Sequence, residues 1–230
     1  MIDIHAHILH GVDDGSRSIE ESLKMISDCK AQGVDKIILT PHLRGSFNHN
    51  GETLKKRFDE LKTAVEDSDQ RVELYLGREV RIDKHFKETL TRGKECLMVD
   101  TDYLLAEFDF FESTDIADAV YEIKRLGYKV IVAHFERYSY ATIEDAYAVK
   151  DEGGLIQINA DSLFGKAGLK AKKTANALIK LGLCDFVSSD IHFNRVNLMA
   201  KAYKKVEKKY GEEIAQKLFN LNAIKILKRD

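Results

Sequence analysis

The chain has 230 residues, 44% of them hydrophobic and 32% charged, with a formal net charge of −2. One globular, soluble domain with a full core, spanning residues 1–230, is expected from those values. The near-neutral charge gives no electrostatic case for nucleic acid or an anionic membrane, and no apolar run approaches the roughly 20 residues of a membrane helix.

Residue 1 is not followed by the basic and then apolar stretches of a secretory leader. Cys29, Cys96 and Cys184 are odd in number and far apart, which fits reduced, packing cysteines and a cytoplasmic location.

Ile2 and Ile4 alternate with polar neighbours, the period of a short strand, and His5 and His7 follow as it ends. Two residues apart on an extended chain, both imidazoles share a face and can hold one divalent ion. Ser18-Ile19-Glu20-Glu21 has the spacing of a capping box, and the stripe of Leu23, Met25 and Ile26 runs on to a stop at Gly33. Residues 36–40 read as a second strand that leaves through Pro41-His42, where the only proline makes a rigid exit. Residues 43–51 are polar and glycine-bounded, a loop long enough to shape a binding site. A helix from 52 to 65 precedes a third strand, 72–76, which leaves through Gly77-Arg78-Glu79.

A short helical piece covers 84–91. Strand four, 103–106, ends on Glu107. The amphipathic stretch 116–126 leads to strand five, 129–133, which ends on His134. A helix at 142–152 precedes strand six, 154–158, ending on Asn159. A helix at 170–181 precedes strand seven, 184–188, ending in Ser189-Asp190-Ile191-His192. Residues 195–228 read as helical. Seven βα units with near-continuous apolar strands predict an α/β fold whose parallel strands are buried on both faces. A closed or nearly closed barrel fits that pattern better than an open sheet.

Active sites of βα barrels lie at the C-terminal ends of the strands. Those ends carry His5, His7, His42, Glu79, Glu107, His134, Asn159, Asp190 and His192, with Asp14 in the first loop. Any one of them alone is a capping or hydrogen-bonded polar group. Together they need a cation, and their number exceeds one coordination sphere. Two or three ions are implied, with a carboxylate such as Glu79 bridging, an arrangement suited to hydrolysis. Arg137, three residues beyond His134, can donate two parallel bonds to a phosphate; Arg44 and Arg195 are further candidates. No cysteine is followed six positions later by arginine, and there is no lysine-bearing phosphate loop. His10, His49 and His85 lie off the strand ends and read as surface residues. The lysine-rich run 201–209, interrupted by Glu207, reads as a solvated helix face.

The pattern His5-x-His7, Pro41-His42, Glu79, Glu107, His134 and Asp190-x-His192 resembles the PHP (polymerase and histidinol phosphatase) domain. Val-Asp-Asp-Gly, Thr-Pro-His, Ala-His-Phe-Glu-Arg-Tyr and Ser-Ser-Asp-Ile-His add a similarity to the bacterial manganese-dependent protein-tyrosine phosphatases of capsule and exopolysaccharide operons. That resemblance spans essentially the whole chain. It implies a distorted (β/α)7 barrel with a trinuclear site: a first ion on His5, His7, Glu79 and Asp190, a second on Glu79, Glu107 and His134, and a third on Asp14, His42 and His192. Arg137 would grip the phosphate. The family's second phosphate arginine lies beyond an asparagine, where this chain has Phe193 with Arg195 close behind.

The activity implied is hydrolysis of phosphotyrosine, with a metal-bridging hydroxide attacking phosphorus in line and His192 or Asp190 assisting the leaving group. The implied substrate is the tyrosine-rich tail of a membrane-linked autokinase. Manganese is the implied metal, and iron and zinc accept the same donors. A histidinol-phosphate or other small-molecule phosphatase of the PHP family is the alternative.

Overall fold

The structure, a computed structural model, describes residues 1–68 and 70–228. Among them the strands are β1 (Ile2–Ala6), β2 (Lys36–Leu39), β3 (His42–Leu43), β4 (Glu73–Leu76), β5 (Glu79–Arg81), β6 (Tyr103–Glu107), β7 (Lys129–Val132), β8 (Leu155–Asn159) and β9 (Phe186–Ser188). Every pairing is parallel, in the orders β1-β2-β4 and β3-β5-β6-β7-β8-β9. Runs such as Ile37-Ile38-Leu39 and Val130-Ile131-Val132 are buried on both faces, as parallel strands covered by helices require.

Two of the seven expected strands are each split in two. Pro41 has no N–H to give to a ladder, so β2 stops at Leu39 and β3 restarts at His42. Gly77-Arg78 makes the matching break between β4 and β5, and β3 then pairs with β5 as β2 pairs with β4. Leu43, expected in a loop, is therefore strand together with His42. The result is an α/β fold with a curled parallel sheet. At its far side Ala6 bridges Ile191, His7 N donates to Ile191 O at 3.0 Å, and Asp190 N donates to His5 O at 2.9 Å.

The helices are α1 (Ile19–Ala31), α2 (Gly51–Asp67), α3 (Phe86–Leu90), α4 (Ile116–Arg125), α5 (Ile143–Asp151), α6 (Gly168–Lys180), α7 (Met199–Tyr210), α8 (Glu212–Gln216) and α9 (Asn222–Leu227), with a π-helical turn at Lys217–Leu221. α1 buries Ser22, Met25, Ile26 and Cys29, one face at helical spacing. Each such aliphatic side chain contributes about 1.5–3 kcal/mol when fully buried. Only half of the expected capping box forms at α1. Ser18 accepts from Glu21 N, but the Glu21 carboxylate turns back to Arg17. The complete box is at α5, between Thr142 and Asp145. No helix among the described residues is long and apolar enough to cross a membrane. The three cysteines are free and buried.

One apolar cluster supports the site from below. Ala223 and Ile226 of α9 join Ile2, Ile4, Ile38, Leu105 and Ile131 in it. Leu105 shares a strand face with Glu107, two residues on, so apolar packing gives way to charge at the strand end. The first loop is fitted equally tightly, because a Cβ on Gly15 would lie 2.0 Å from His7 O and 2.7 Å from His7 Cβ. Gly15→Ala is therefore expected to destabilise the protein by about 1–3 kcal/mol, read as a lower urea midpoint. An unchanged midpoint would mean that the loop yields freely.

Candidate metal centre

Six of the strands or their exits deliver the site. His5 and His7 come from β1 and its exit, His42 from the start of β3, Glu79 from the start of β5, and Glu107 from the end of β6. His134 follows β7, and Asp190 with His192 follows β9. Two of these residues hold left-handed backbones that L side chains rarely adopt, His134 at φ 32° and Asp190 at φ 49°. Such conformations cluster at functional sites, where the surrounding structure holds them in place. Here each sits where the chain leaves its strand.

The nine side chains form four overlapping groups able to hold a cation: His7, Asp14, His42 and His192; His5, His7 and Asp190; His5, Glu79 and His134; and His42, Glu79 and Glu107. Within each, the ligand atoms lie within 4.8 Å of one another. Glu79 belongs to two groups, the position of a bridge. Glu107 and His134, expected together on one ion, fall in separate groups that share Glu79. Glu107 is drawn aside by Arg44, whose Nη1 donates to both carboxylate oxygens at 3.2 Å.

Outer partners decide which nitrogen of each ring faces inward. Gln157 Oε1 accepts the backbone N–H of His134, so it also accepts from His5 Nδ1 at 3.1 Å. Asp13 Oδ2 accepts from His7 Nδ1 at 2.8 Å, and the Asp190 carbonyl accepts from His192 Nδ1 at 3.0 Å. With Nδ1 as the donor, each neutral ring turns a lone pair on Nε2 toward the centre. His5 Nε2 and His7 Nε2 then face each other 3.1 Å apart, with Glu79 and Asp190 oxygens 3.3–3.5 Å away. Converging lone pairs and anions repel unless a cation lies among them.

Two more atoms give the same indication. Glu79 Oε2 and His42 Nδ1 are buried 2.7 Å apart, yet neither has a hydrogen bond. Donor type, burial and these orphaned atoms all fit divalent cations.

Burial pushes the Glu79 carboxyl up, but His5 and His42 outweigh it and hold it well below the ordinary range. Asp190 is likewise pushed up by burial and brought well below by His5 and His7. Burial and then the Glu79 charge raise Glu107. His42 loses from burial but gains more from Glu79 and Asp14, and is raised to about 9.

The three arginines differ. Arg44 is held by Glu107 and lies 3.5 Å from Asp14. Arg137 donates to Asp190 Oδ2 at 3.0 Å, lies over the Phe110 ring at 4.7 Å, and keeps 28% of its side chain exposed. Arg195 reaches only to 4.0 Å of Asp190 and is 50% exposed.

The family profile described as "Capsular polysaccharide synthesis, CpsB/CapC" matches residues 1–228. The chain belongs to the CpsB/CapC family. It is 34% identical over 240 residues to the tyrosine-protein phosphatase CpsB of Streptococcus agalactiae, with 99% of this chain and 98% of that one covered. It is 30% identical over 220 residues to the tyrosine-protein phosphatase YwqE of Bacillus subtilis, covering 93% and 87%. A solved structure from work on YwqE of Bacillus subtilis and CpsB of Streptococcus pneumoniae, described as unique metal-dependent tyrosine phosphatases, superposes with TM-score 0.90 at 29% identity, covering 99% and 94%. A histidinol phosphate phosphatase of Lactococcus lactis, complexed with zinc, L-histidinol and phosphate, shares the fold at TM-score 0.58 and 16% identity, covering 92% and 95%.

The CpsB/CapC chain also uses residues that reading the strand ends did not single out. Asp13 accepts from His7 Nδ1, from His42 N at 3.1 Å and from Gly15 N at 2.9 Å. Its signal was its place beside Asp14. Gln157 orients His5 and bonds Asn159, which in turn donates to Asp190 at 2.8 Å. Its signal was polarity at alternate positions of β8, with Leu155, Gln157 and Asn159 on one face. Asn159 thus orients a ligand.

His10, expected at the surface, is buried and bonds Glu60 at 3.3 Å, because α2 packs over the first loop. His49 is half-buried and His85 exposed. Asp13→Asn removes the charge behind His7 and is expected to weaken metal affinity about 10–100-fold, measured by competition with a chelator. Unchanged affinity would show that Asp13 serves the loop alone.

Proposed function

We propose that the chain is a metal-dependent protein-tyrosine phosphatase that hydrolyses phosphotyrosine, with manganese as its metal and three ions bound. The observation that carries this reading is the convergence of two imidazole lone pairs, His5 Nε2 and His7 Nε2, on Glu79 and Asp190. The first ion would be held by His5, His7, Glu79 and Asp190, the second by Glu79, Glu107 and His134, and the third by Asp14, His42 and His192. Bound there, such ions supply Lewis acidity toward phosphate oxygens and a water acidic enough to ionise near neutral pH.

The remaining work falls to the chain's own groups. Arg137 keeps N–H donors beyond the one given to Asp190, and these grip the phosphate. Arg195, more exposed, is the second donor. Arg44 is committed to Glu107, so it balances charge at the rim of the phosphate site. His192 and Asp190 stand beside the departing phenolate, whose pKa near 10 asks for little proton transfer.

The curled sheet is taken as a distorted (β/α)7 barrel, one domain over residues 1–230, a reading supported by the Ala6–Ile191 bridge between β1 and the exit of β9. A cytoplasmic enzyme acting on the tyrosine-rich tail of a membrane-linked autokinase is the setting that the capsule-synthesis description of the family supports.

The test is kcat/KM, with manganese supplied, for a tyrosine-phosphorylated peptide against histidinol phosphate. Strong preference for the peptide is the expected result. Preference for histidinol phosphate would overturn the substrate and leave the metal centre standing.

A further inference from the structure

Residues 162–184 carry five lysines and no carboxylate, and residues 195–211 carry six cations against a single Glu207. The fold lays the two segments side by side. Lys209 Nζ donates to Asn176 Oδ1 at 2.9 Å and Tyr210 Oη donates to Asn176 O at 3.1 Å, so the end of α7 meets α6 at Asn176. Among the described residues none of these lysines forms an ion pair, whereas Lys36, Lys87 and Lys150 each hold a carboxylate. Burial and then the charges of Lys172 and Lys209 push the Lys205 ammonium below its ordinary value, a sign of uncompensated positive charge.

This basic side reaches the metal centre. α6 follows the 3-10 turn Asp161–Phe164, which begins two residues past Asn159. Lys170 bonds the carbonyl of Ser139, two residues past Arg137, and Lys205 bonds the carbonyl of Leu163 in that turn. Arg195 stands three residues past His192. The segment between β6 and α4, residues 108–115, carries three carboxylates and no cation, and its Asp109 is paired with Arg81. Both segments follow C-terminal strand ends, the face on which a peptide substrate would lie. A peptide crossing it can keep its acidic residues to the basic side.

We infer that the α6/α7 side of the mouth binds carboxylates that flank the phosphotyrosine of a protein substrate, so that the enzyme selects acidic sequence contexts. The inference rests on the phosphotyrosine reading above. Its test uses the manganese-loaded full chain and two phosphotyrosine peptides, one flanked by glutamates and one by lysines, with p-nitrophenyl phosphate as a substrate without flanks.

The glutamate peptide is expected to show about tenfold higher kcat/KM at low salt, a preference that fades as salt screens the rim charges. Lys166→Glu/Lys170→Glu is expected to abolish that preference while p-nitrophenyl phosphate turnover stays within about twofold, and Lys166→Gln/Lys170→Gln to fall between. Equal turnover of the two peptides by the native chain would overturn the inference, as would a preference that survives charge reversal. So would salt-sensitive binding to phosphatidylserine vesicles without any peptide preference. A native chain that leaves p-nitrophenyl phosphate intact would instead sink the phosphatase reading itself.

Discussion

Glu79→Ala is expected to lower kcat/KM by about 10³-fold or more, equivalent to roughly 4 kcal/mol of transition-state stabilisation. It should also reduce bound metal by more than one ion per chain. The reason is its place in the cluster. Glu79 Oε1 lies 2.9 Å from His134 Nε2 and 3.3 Å from His5 Nε2, while Oε2 lies 2.7 Å from His42 Nδ1 and 3.4 Å from His7 Nε2. Among the described residues no other carboxylate approaches four histidines. Removing it takes away the charge common to two of the ligand groups and leaves buried imidazoles facing one another.

Metal content by mass spectrometry, circular dichroism for the fold, and p-nitrophenyl phosphate turnover separate the contributions. A folded variant with full metal content and near-native turnover would refute the bridging role. Glu79→Gln keeps the shape without the charge and should lose most of the same activity, because the charge binds the cations.

Arg137→Ala is expected to cost about 10²-fold in kcat/KM while leaving metal content near native. Its guanidinium is fixed on two sides, by Asp190 and by the Phe110 ring, and open on a third. A group held in that way can meet a phosphate without first losing side-chain entropy. Arg137→Lys should recover only part of the loss, since a single ammonium cannot make the paired bonds of a guanidinium. Arg195→Ala should cost less, about tenfold or under, because its 4.0 Å approach to Asp190 and half-exposed side chain leave it less ordered. Equal losses for the two arginines would overturn that ranking. Loss of an ion from Arg137→Ala would show that the residue acts through Asp190.

Much of this protein is legible in one dimension. Apolar runs such as Ile37-Ile38-Leu39 must be buried on both faces, so parallel strands follow from residue types alone. Because barrel-type sites gather at C-terminal strand ends, the residue closing each run is the candidate, and His5, His7, Glu79, Glu107, His134 and Asp190, singled out that way, converge in the structure. Helix spacing was equally plain where a stripe was sharp, as in α1.

Other features depend on contacts between residues far apart in sequence. The split of two strands depends on Pro41 and on the matching break at Gly77-Arg78, since a ladder is a property of two chains. The tautomers of His5 and His7 depend on Gln157 and Asp13, and local pattern cannot say which polar neighbour will face a ring. His10 is buried because α2 happens to pack over its loop. Arg44 and Arg137 looked alike as strand-exit cations and were separated only by what lay opposite, Glu107 for one and Asp190 with Phe110 for the other. The residues that donate to the centre were thus determined locally by type and position. Their protonation and their grouping were decided by tertiary structure, because electrostatic energy depends on distances in space.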